Sequence, residues 1–338
     1  MSTINKITLN TAKNLIPHLL KAKVVPFLHS SPGIGKSSIL RQVARNLNLQ
    51  FIDIRLSDMD PSDIAGLPTF ENGRAKFVPY DTFPLDTDTV PEGKDGWLIC
   101  FDEFNSASQA TQAACYKVLL DRMVGQRHLH PKVVMAAAGN LDTDNAITSP
   151  MTTALISRFA HFYIELSHKE FMEHVGPRLD VRIMTFLGRF PKHLSTFHPD
   201  ADSPYACSRT WEKLSDVIKN VGKFEANHVP LAESLIGNVA SEFYSYTQLF
   251  RELPSIETIM ADPETLEISD SLSIRWAIIG MIAHAMNKDN AKELSTYMRR
   301  FPRELQMCAL SNIKAHSPML LDTALRSWML DLHEQINR

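Results

Sequence analysis

The stretch VVPFLHSSPGIGKSSILRQVARNLN, residues 24–48, decides how the first half of this chain folds. It begins with a short apolar run, continues through a loop that contains Gly33 and Gly35, and ends in a pattern typical of a helix. The loop fits G-x-x-x-x-G-K-[S/T] except at its first position, where Ser30 replaces glycine. The two glycines let the backbone curl so that successive N–H groups point at phosphate oxygens. The stretch therefore predicts a strand, a phosphate-binding loop and a helix in succession.

The side chains of this loop suggest specific roles toward ATP and Mg²⁺. We expect Lys36 to reach the β- and γ-phosphates and Ser37 to hold Mg²⁺. A glycine-rich turn before an ordinary helix is the alternative, and the strand–loop–helix context disfavours it. The predicted nucleotide-binding set is Pro32, Gly33, Ile34, Gly35, Lys36, Ser37 and Ser38.

Four more apolar runs alternate with helical patterns after this loop. Such alternation is typical of a parallel α/β sheet. With residues 24–29 they predict the five-stranded parallel sheet of a P-loop αβα sandwich. The four runs are residues 51–56, 97–101, 133–138 and 160–166.

A segment rich in Pro, Asp and Gly, residues 57–96, separates the second and third predicted strands. Inside it, Asn72-Gly73 lies between two possible strand segments, and this dipeptide favours a type I′ turn. We expect a hairpin over about residues 66–80.

The second half of the chain is predicted to be helical, and from about Pro230 only helices are indicated. We expect a nucleotide-binding domain over 1–170 and an all-α lid with extra C-terminal helices over 171–338. The boundary should lie in or just before the loop between His193 and Ser208. The extra helices either form a layer for ring packing or partner docking, or simply enlarge the core of the lid.

An acidic pair follows the third apolar run. Asp102 should lie at the carboxyl end of that strand and hold Mg²⁺ through water, and Glu103 should polarise the attacking water. An ordinary strand end is the alternative, which the position after a phosphate-binding loop disfavours. Ser106 and Gln109 have capping-box spacing and predict the start of the next helix.

Three further polar residues are candidates for sensing or completing the nucleotide site. Asn140, at the tip of the next strand, could bond the attacking water or the γ-phosphate; otherwise it is a turn residue. Arg158 would lie on the side of the domain, where it could act in trans on a neighbour's nucleotide, or form a surface salt bridge. Ser208 could cap a helix with Arg209 in its first turn, where Arg209 would be a sensor or merely an exposed arginine.

Composition limits the function classes. The 338 residues carry 35 basic and 38 acidic side chains, a net charge of −3, so no global positive field attracts nucleic acid or anionic membranes, although a local patch stays possible. No apolar run approaches the roughly 18 residues of a membrane helix, and the polar N-terminus lacks a signal-peptide core, so we expect a cytoplasmic protein. Four scattered cysteines favour neither disulfides nor zinc. His128 and His130 could form a metal pair but are more typical of loop histidines.

Taken together, these motifs resemble those of an AAA+ ATPase, and specifically of the MoxR-like family. Residues 56–66, LSDMDPSDIAG, resemble that family's P-S-D-[I/L]-x-G signature, and the predicted hairpin matches its helix 2 insert. Residues 102–113 resemble D-E-x-N-R…Q-x-A, with Ser106 in place of the usual arginine. Residues 208–215 resemble the S/T-P-R-x-W lid helix without its proline. The resemblance covers about residues 20–220.

The resemblance implies an ATP- and Mg²⁺-dependent homo-oligomeric ring, expected to be a hexamer, that remodels a protein client. It implies a chaperone-like role, often with a partner that contains a von Willebrand factor A domain. A membrane partner is not expected, and nucleic acid is disfavoured but left open. The alternatives are a DNA-acting motor and a nucleotide-gated scaffold with little turnover; Lys36, Asp102, Glu103 and Asn140 together argue against the scaffold.

Overall fold

A computed structural model of the chain describes residues 5–144 and 149–336. The chain divides into two compact units. The first runs to Ser167 and includes His198–Asp200, and the second begins at His168 and contains the rest. Each unit has its own hydrophobic core. No helix among the described residues is long and apolar enough to cross a bilayer.

Helices alternate with strands in the first unit, whereas the described part of the second unit contains helices and connecting loops. The strands are β1 (Lys6–Thr8), β2 (Val25–His29), β3 (Leu49–Arg55), β4 (Leu67–Glu71), β5 (Arg74–Val78), β6 (Gly96–Asp102), β7 (Met123–Val124), β8 (Arg127–His128), β9 (Val133–Gly139) and β10 (Phe159–Glu165). The helices of the first unit are α1 (Leu9–Lys21), α2 (Lys36–Asn46), α3 (Pro61–Ala65), α4 (Gln109–Asp121) and α5 (Thr153–Ile156).

The helices of the second unit are connected by loops and 3₁₀ turns. They are α6 (His168–His174), α7 (Val181–Arg189), α8 (Ser208–Val221), α9 (Val229–Ile236), α10 (Val239–Gln248), α11 (Ile256–Ala261), α12 (Leu272–Ala285), α13 (Ala291–Met298), α14 (Arg303–His316), α15 (Met319–Asp322) and α16 (Arg326–Ile336).

The main sheet is parallel and has the strand order β1-β10-β2-β9-β6-β3. This confirms the predicted α/β fold, and each of the five predicted runs overlaps a strand. The prediction of five strands was wrong, because β1 adds a sixth strand at the edge, where Ile7 is in register with Ile164. A strand of three residues, two of them polar, has too little apolar periodicity to be recognised in the sequence.

The inner strands β2, β9 and β6 are buried, and alternate residues along them face opposite layers. In β6, Leu98 and Cys100 belong to the cluster formed with α1 and α2. Their neighbours Ile99 and Phe101 belong to the cluster formed with α4. The carboxyl ends of the parallel strands lie together at one edge of the sheet.

A hairpin forms where the Asn-Gly dipeptide predicts it. Strands β4 and β5 are antiparallel, with Glu71 in register with Arg74, so that two residues make the turn. Both have positive φ, 52° at Asn72 and 71° at Gly73, as a type I′ turn requires.

Two helix starts differ from the prediction. Helix α4 is capped by Ser108, whose hydroxyl accepts from Thr111 N at 3.1 Å, and not by Ser106. Ser106 instead belongs to a 3₁₀ turn, in which its N–H donates to Glu103 O at 2.9 Å. The acidic pair is followed by this tight turn, and the helix cap therefore lies two residues later than predicted.

In the second unit, helix α8 begins at Ser208, and Cys207 is its N-cap. The predicted cap at Ser208 was wrong because Thr210 Oγ1 accepts from Cys207 N at 2.8 Å and so sets the extended conformation one residue earlier. Arg209 still lies in the first turn of the helix and is exposed.

The C-terminal helices of the second unit share a core with its earlier helices. Helix α12 packs against α7 so closely that a Cβ at Gly280 would lie 1.9 Å from Thr185 Cγ2. Helices α11 to α16 contribute to one apolar cluster, which includes Tyr297 and Trp328. Trp328 Nε1 donates to Gln306 Oε1 at 2.8 Å, so this buried indole is also satisfied. The C-terminal helices therefore bury an apolar core, and their use in ring packing or partner docking stays a prediction.

Candidate active site

The site lies at the carboxyl ends of three adjacent strands, β2, β9 and β6. Strand β2 leads into the loop that ends at Lys36, β6 ends in Asp102, and β9 is followed by Asn140. Parallel strands place the residues that follow them along one edge of the sheet, which is where ligands bind in such folds. The structure thus brings together side chains that are 66 and 38 positions apart in sequence.

The loop between β2 and α2 has the backbone of a phosphate cradle. Gly33 and Gly35 have φ values of 78° and 112°, in the region that favours glycine. Gly35 is also the N-cap of α2 and offers no side-chain acceptor to the first turn. An anion is the natural partner for a helix start of this kind, since the N–H groups and the helix dipole both favour negative charge. This cradle fits a nucleotide phosphate.

Lys36 is buried and turned toward the base of the loop. Its Nζ donates to Ser30 O at 2.8 Å, to Ser30 Oγ at 3.0 Å and to Asn140 Oδ1 at 3.3 Å. Ser30, the departure from the glycine-rich pattern, therefore supplies a hydroxyl acceptor that glycine could not. The contact with Asn140 joins two predicted site residues.

Two oxygen ligands suited to Mg²⁺ are adjacent. Ser37 Oγ hydrogen-bonds Asp102 Oδ2, so a hydroxyl and a carboxylate oxygen meet at one point. Hard divalent cations prefer such ligands, and Mg²⁺ usually takes only one or two protein groups and completes its shell with phosphate oxygens and water. The donor set fits the predicted metal site.

His128 and His130 differ in their surroundings. His128 is exposed on β8, and His130 packs edge-on against Trp97 with 4.9 Å between ring centroids. His130 Nδ1 accepts from Lys132 N at 3.1 Å. Among the residues that the structure describes, no group of three or more His, Cys, Asp or Glu could hold a metal ion.

Glu103 has a left-handed backbone conformation, with φ 53°, which is uncommon for a residue other than glycine. Its N–H donates to Asp102 Oδ1 at 2.9 Å, and its Oε2 accepts from Ser57 Oγ at 2.5 Å. Conformations of this kind persist where the surrounding structure holds them, often at functional sites. The sequence analysis did not identify Ser57 as a site residue. It belongs to the LSDMDPSDIAG signature, but no local sequence pattern indicates its contact with Glu103.

Asn105 holds the backbone of Asn140. Asn105 Nδ2 donates to Asn140 O at 2.8 Å, and Asn140 N donates to Asn105 Oδ1 at 3.1 Å. A Cβ at Gly139 would lie 2.3 Å from Asn105 Oδ1, so this close approach needs a glycine. Asn105 was also missed, although its position two residues after the acidic pair was a usable signal.

Arg158 follows α5 and precedes β10, and its side chain folds back on its own unit. It donates to Ala154 O, and its guanidinium lies 5.3 Å from the centroid of the Tyr116 ring. Its Nε is buried with no hydrogen-bond partner among the described residues. Arg209 lies in the second unit. The roles of both arginines stay predictions.

Burial changes the proton affinity of two groups near the site. Burial, with smaller contributions from His161 and Lys36, lowers the pKa of His29 to about 3, so this ring is neutral beside Lys36. Burial and the charge of Asp102 raise the pKa of Asp53 above its usual value. A neutral His29 avoids a second positive charge next to the loop.

Residues 26–161 match the family described as "ATPase family associated with various cellular activities (AAA)". This segment is similar to an AAA-type ATPase domain. It contains the loop at Lys36, the acidic pair, Asn140 and Arg158, whereas Arg209 lies outside it.

Two individual proteins are similar to the chain. "Uncharacterized protein YeaC" from Bacillus subtilis (strain 168) is 25% identical over 162 residues, which is 46% of this chain and 47% of that protein. The match therefore spans about half the length of this relative. A solved structure described as a "putative ATPase" from Cytophaga hutchinsonii is 14% identical, with a TM-score of 0.37 over 92% of this chain and 82% of that one.

Proposed function

We propose that this protein is a MoxR-like AAA+ ATPase that hydrolyses ATP with Mg²⁺. It would act as a homo-oligomeric ring, which we expect to be a hexamer, and use the energy of hydrolysis to remodel a protein partner. One observation carries the ATPase part of the proposal. The candidate site residues follow three adjacent strands and contact one another. Lys36 contacts Asn140, Ser37 contacts Asp102, and Asp102 contacts the backbone of Glu103. The MoxR-like part, with its client or von Willebrand factor A-domain partner, is supported by the sequence signatures at residues 56–66 and 208–215.

Binding uses groups that already point toward one region. The start of α2 accepts phosphate oxygens, and Lys36 Nζ exchanges its Ser30 acceptors for the β- and γ-phosphates. Mg²⁺, held by Ser37 and Asp102, would neutralise charge on the phosphate oxygens. Because Lys36 is already buried, little additional desolvation accompanies this exchange.

Hydrolysis then depends on two side chains at neighbouring strand ends. Glu103 accepts a proton from the attacking water and orients it, and Ser57 holds the carboxylate through Oε2 in the structure described here. Asn140 orients the water or the γ-phosphate through its side-chain amide, and Asn105 fixes its backbone. Arg158 supplies positive charge to a neighbour's site when it leaves Ala154 and Tyr116.

The decisive test is Mg²⁺-dependent ATP hydrolysis by wild type and Lys36→Ala. We expect a loss of roughly 100-fold or more, because the variant lacks the charge that meets the phosphates in the transition state. Chelation of Mg²⁺ should abolish turnover of the wild type as well. Lys21→Ala is a matched control, since Lys21 is exposed at the end of α1. Equal turnover of Lys36→Ala and wild type would refute the proposed activity.

A further inference from the structure

Two histidines connect the phosphate-binding loop to the segment that bears Arg158. His29 is the last residue of β2, and His161 lies on the neighbouring strand β10. His29 Nε2 and His161 Nδ1 are 2.8 Å apart, and His161 Nε2 is 2.9 Å from Ile156 O. These contacts form a continuous path from β2, across β10, to the last residue of α5.

The path has a defined direction of hydrogen bonding. The Ile156 carbonyl can only accept, so His161 must carry a hydrogen on Nε2. In a neutral His161 the Nδ1 atom is then the acceptor, and His29 Nε2 is the donor. The lowered pKa of His29, about 3 through burial, agrees with a neutral ring at this place. With both rings neutral, the two contacts allow only one tautomer for each ring.

Both ends of the path meet groups of the proposed reaction. At one end, His29 directly precedes Ser30 in the sequence. The carbonyl and the hydroxyl of Ser30 both accept hydrogen bonds from Lys36 Nζ. At the other end, Ile156 closes the short helix α5, whose Ala154 carbonyl accepts from Arg158. A shift of Ser30 can thus be transmitted to the helix that holds Arg158.

We propose that His29 and His161 are positioning residues that link the occupancy of the phosphate-binding loop to the placement of α5 and Arg158. The proposal rests on the proposed function. When Lys36 turns from Ser30 to a phosphate, the end of β2 loses the two hydrogen bonds that hold it to the ammonium. The His29–His161–Ile156 bonds carry the resulting adjustment to α5, which changes how Arg158 is held.

A purely structural role is the competing explanation. His29 stacks on Phe27 with 4.1 Å between centroids and on Tyr163 with 4.7 Å, so the ring also fills space in an aromatic stack. If His29 and His161 act only by packing, removing the hydrogen bonds of His161 should not affect how α5 responds to nucleotide in the phosphate-binding loop. The experiment must therefore separate the bonds from the stack.

Two variants break the path at different bonds. In His161→Gln the side-chain amide can still donate to Ile156 O but offers no acceptor at the Nδ1 position. In His161→Asn the amide oxygen can replace Nδ1 as the acceptor for His29, but the donor to Ile156 is lost. Tyr163→Phe is the matched control, since it keeps an aromatic ring against His29 and leaves both bonds in place. His161 also stacks on His29 and Phe27, at 5.1 and 5.8 Å between ring centroids, so His161→Phe is included as well. It keeps a ring in the stack but removes both bonds, and it should behave like the other two His161 variants.

The measurement is hydrogen exchange of the peptides covering the phosphate-binding loop and α5, with and without AMP-PNP and Mg²⁺. We expect AMP-PNP to protect the loop in every protein, and to change exchange of α5 in wild type and Tyr163→Phe only. Steady-state kinetics should show a kcat reduced roughly 5- to 50-fold in both His161 variants, with the affinity for AMP-PNP within about twofold of wild type.

The possible outcomes are distinguishable. An unchanged α5 response in both His161 variants, or no α5 response in the wild type, would overturn the link between the loop and α5. Absence of loop protection in the wild type would instead contradict the proposed nucleotide binding. If one His161 variant does not unfold cooperatively, the other variant decides the question, because each breaks the same path.

Discussion

Ser30 illustrates how a single side chain changes the meaning of a motif. The glycine-rich pattern has glycine at this position, yet Ser30 lies at the end of β2 and offers two oxygens to Lys36 Nζ, at 2.8 and 3.0 Å. A buried ammonium is costly unless hydrogen bonds replace its hydration. In the absence of phosphate, Ser30 and Asn140 provide this replacement, so the loop keeps Lys36 in place before nucleotide binds.

Glu103 is the residue for which binding and turnover should separate most clearly. We expect Glu103→Gln to bind ATP with near wild-type affinity and to lose roughly 100-fold or more of the hydrolysis rate, because the amide cannot accept the proton of the water. Equilibrium binding and single-turnover hydrolysis measure the two properties independently.

Glu92→Gln is the control for that experiment, since Glu92 is exposed in the loop before β6. A parallel collapse of affinity and rate in Glu103→Gln would show that Glu103 is a structural or metal-binding group. Glutamine keeps the size of the Glu103 side chain. It is therefore a conservative replacement at this residue, whose backbone has a left-handed conformation.

His29 should make the stability of the protein sensitive to acid. Its pKa is lowered to about 3 from an ordinary value of 6.5, with burial as the main cause and the facing His161 and Lys36 adding to it. The unfolded chain therefore binds a proton below pH 6.5 that the folded chain does not. The contribution is a loss of free energy of unfolding of up to about 1.4 kcal/mol per pH unit as the pH falls from about 6.5 toward 3.

Chemical denaturation between pH 7 and 4.5 tests this against His29→Phe, which keeps the aromatic stack with Phe27 and Tyr163 but cannot titrate. The wild type should lose stability more steeply than the variant as the pH falls. His18→Asn, at an exposed histidine, should follow the wild-type curve. Parallel curves for wild type and His29→Phe would contradict the prediction.

At the scale of elements, α5 and its flanks hold Arg158 in a folded-back position. Thr152 caps the helix by accepting from Leu155 N at 3.3 Å, and its hydroxyl also pairs with Tyr116 Oη. The same Tyr116 ring lies under the Arg158 guanidinium. One short helix and one aromatic side chain therefore control where this arginine points.

Mixed assemblies test whether Arg158 acts in trans. Arg158→Ala and Lys36→Ala subunits should each be nearly inactive alone, because each lacks one group that meets the transferred phosphate. A one-to-one random mixture should recover about a quarter of wild-type activity, since half of the intact loops meet an intact neighbouring arginine. Mixed rings with no recovery, or an Arg158→Ala variant with full activity, would contradict the role.

At the scale of the whole molecule, the core of the second unit determines which C-terminal segments can be deleted without unfolding the protein. Truncation after Asp270 deletes α12 and the helices that follow it. This removes Ile278, Ile279 and Ile282, which are almost fully buried, from a cluster that also holds Tyr297 and Trp328. Tyr297, Trp328 and every other buried residue of this cluster except Ile259 are deleted with them. At roughly 1.5–3 kcal/mol for each large buried side chain, the loss over the whole cluster exceeds the roughly 5–15 kcal/mol of a typical domain.

We therefore expect the truncated protein to aggregate or to lose cooperative thermal unfolding, as measured by circular dichroism and light scattering. Deletion of residues 337–338 is the control and should leave the unfolding transition unchanged. A truncated protein that stays folded and keeps ATPase activity, but no longer assembles, would show that these helices serve docking instead.

Local sequence determined the parts of this protein that depend on neighbouring residues. The phosphate-binding loop, the five apolar runs of the sheet and the type I′ turn at Asn72-Gly73 all follow from backbone preferences and periodicity within a few positions. Where the signal was shorter, prediction failed: β1 has three residues, and the caps at Ser108 and Cys207 were placed wrongly because several nearby hydroxyls compete for the same role.

Only the tertiary structure decided which side chains meet. Ser57 and Glu103 are 46 residues apart, Asn105 and Asn140 are 35 apart, and His29 and His161 are 132 apart. No local pattern contains these pairings, because each depends on which strands are neighbours and on their register. Strand β10 pairs with β2 rather than with the strand before it in sequence, and this crossover alone brings His161 to the loop.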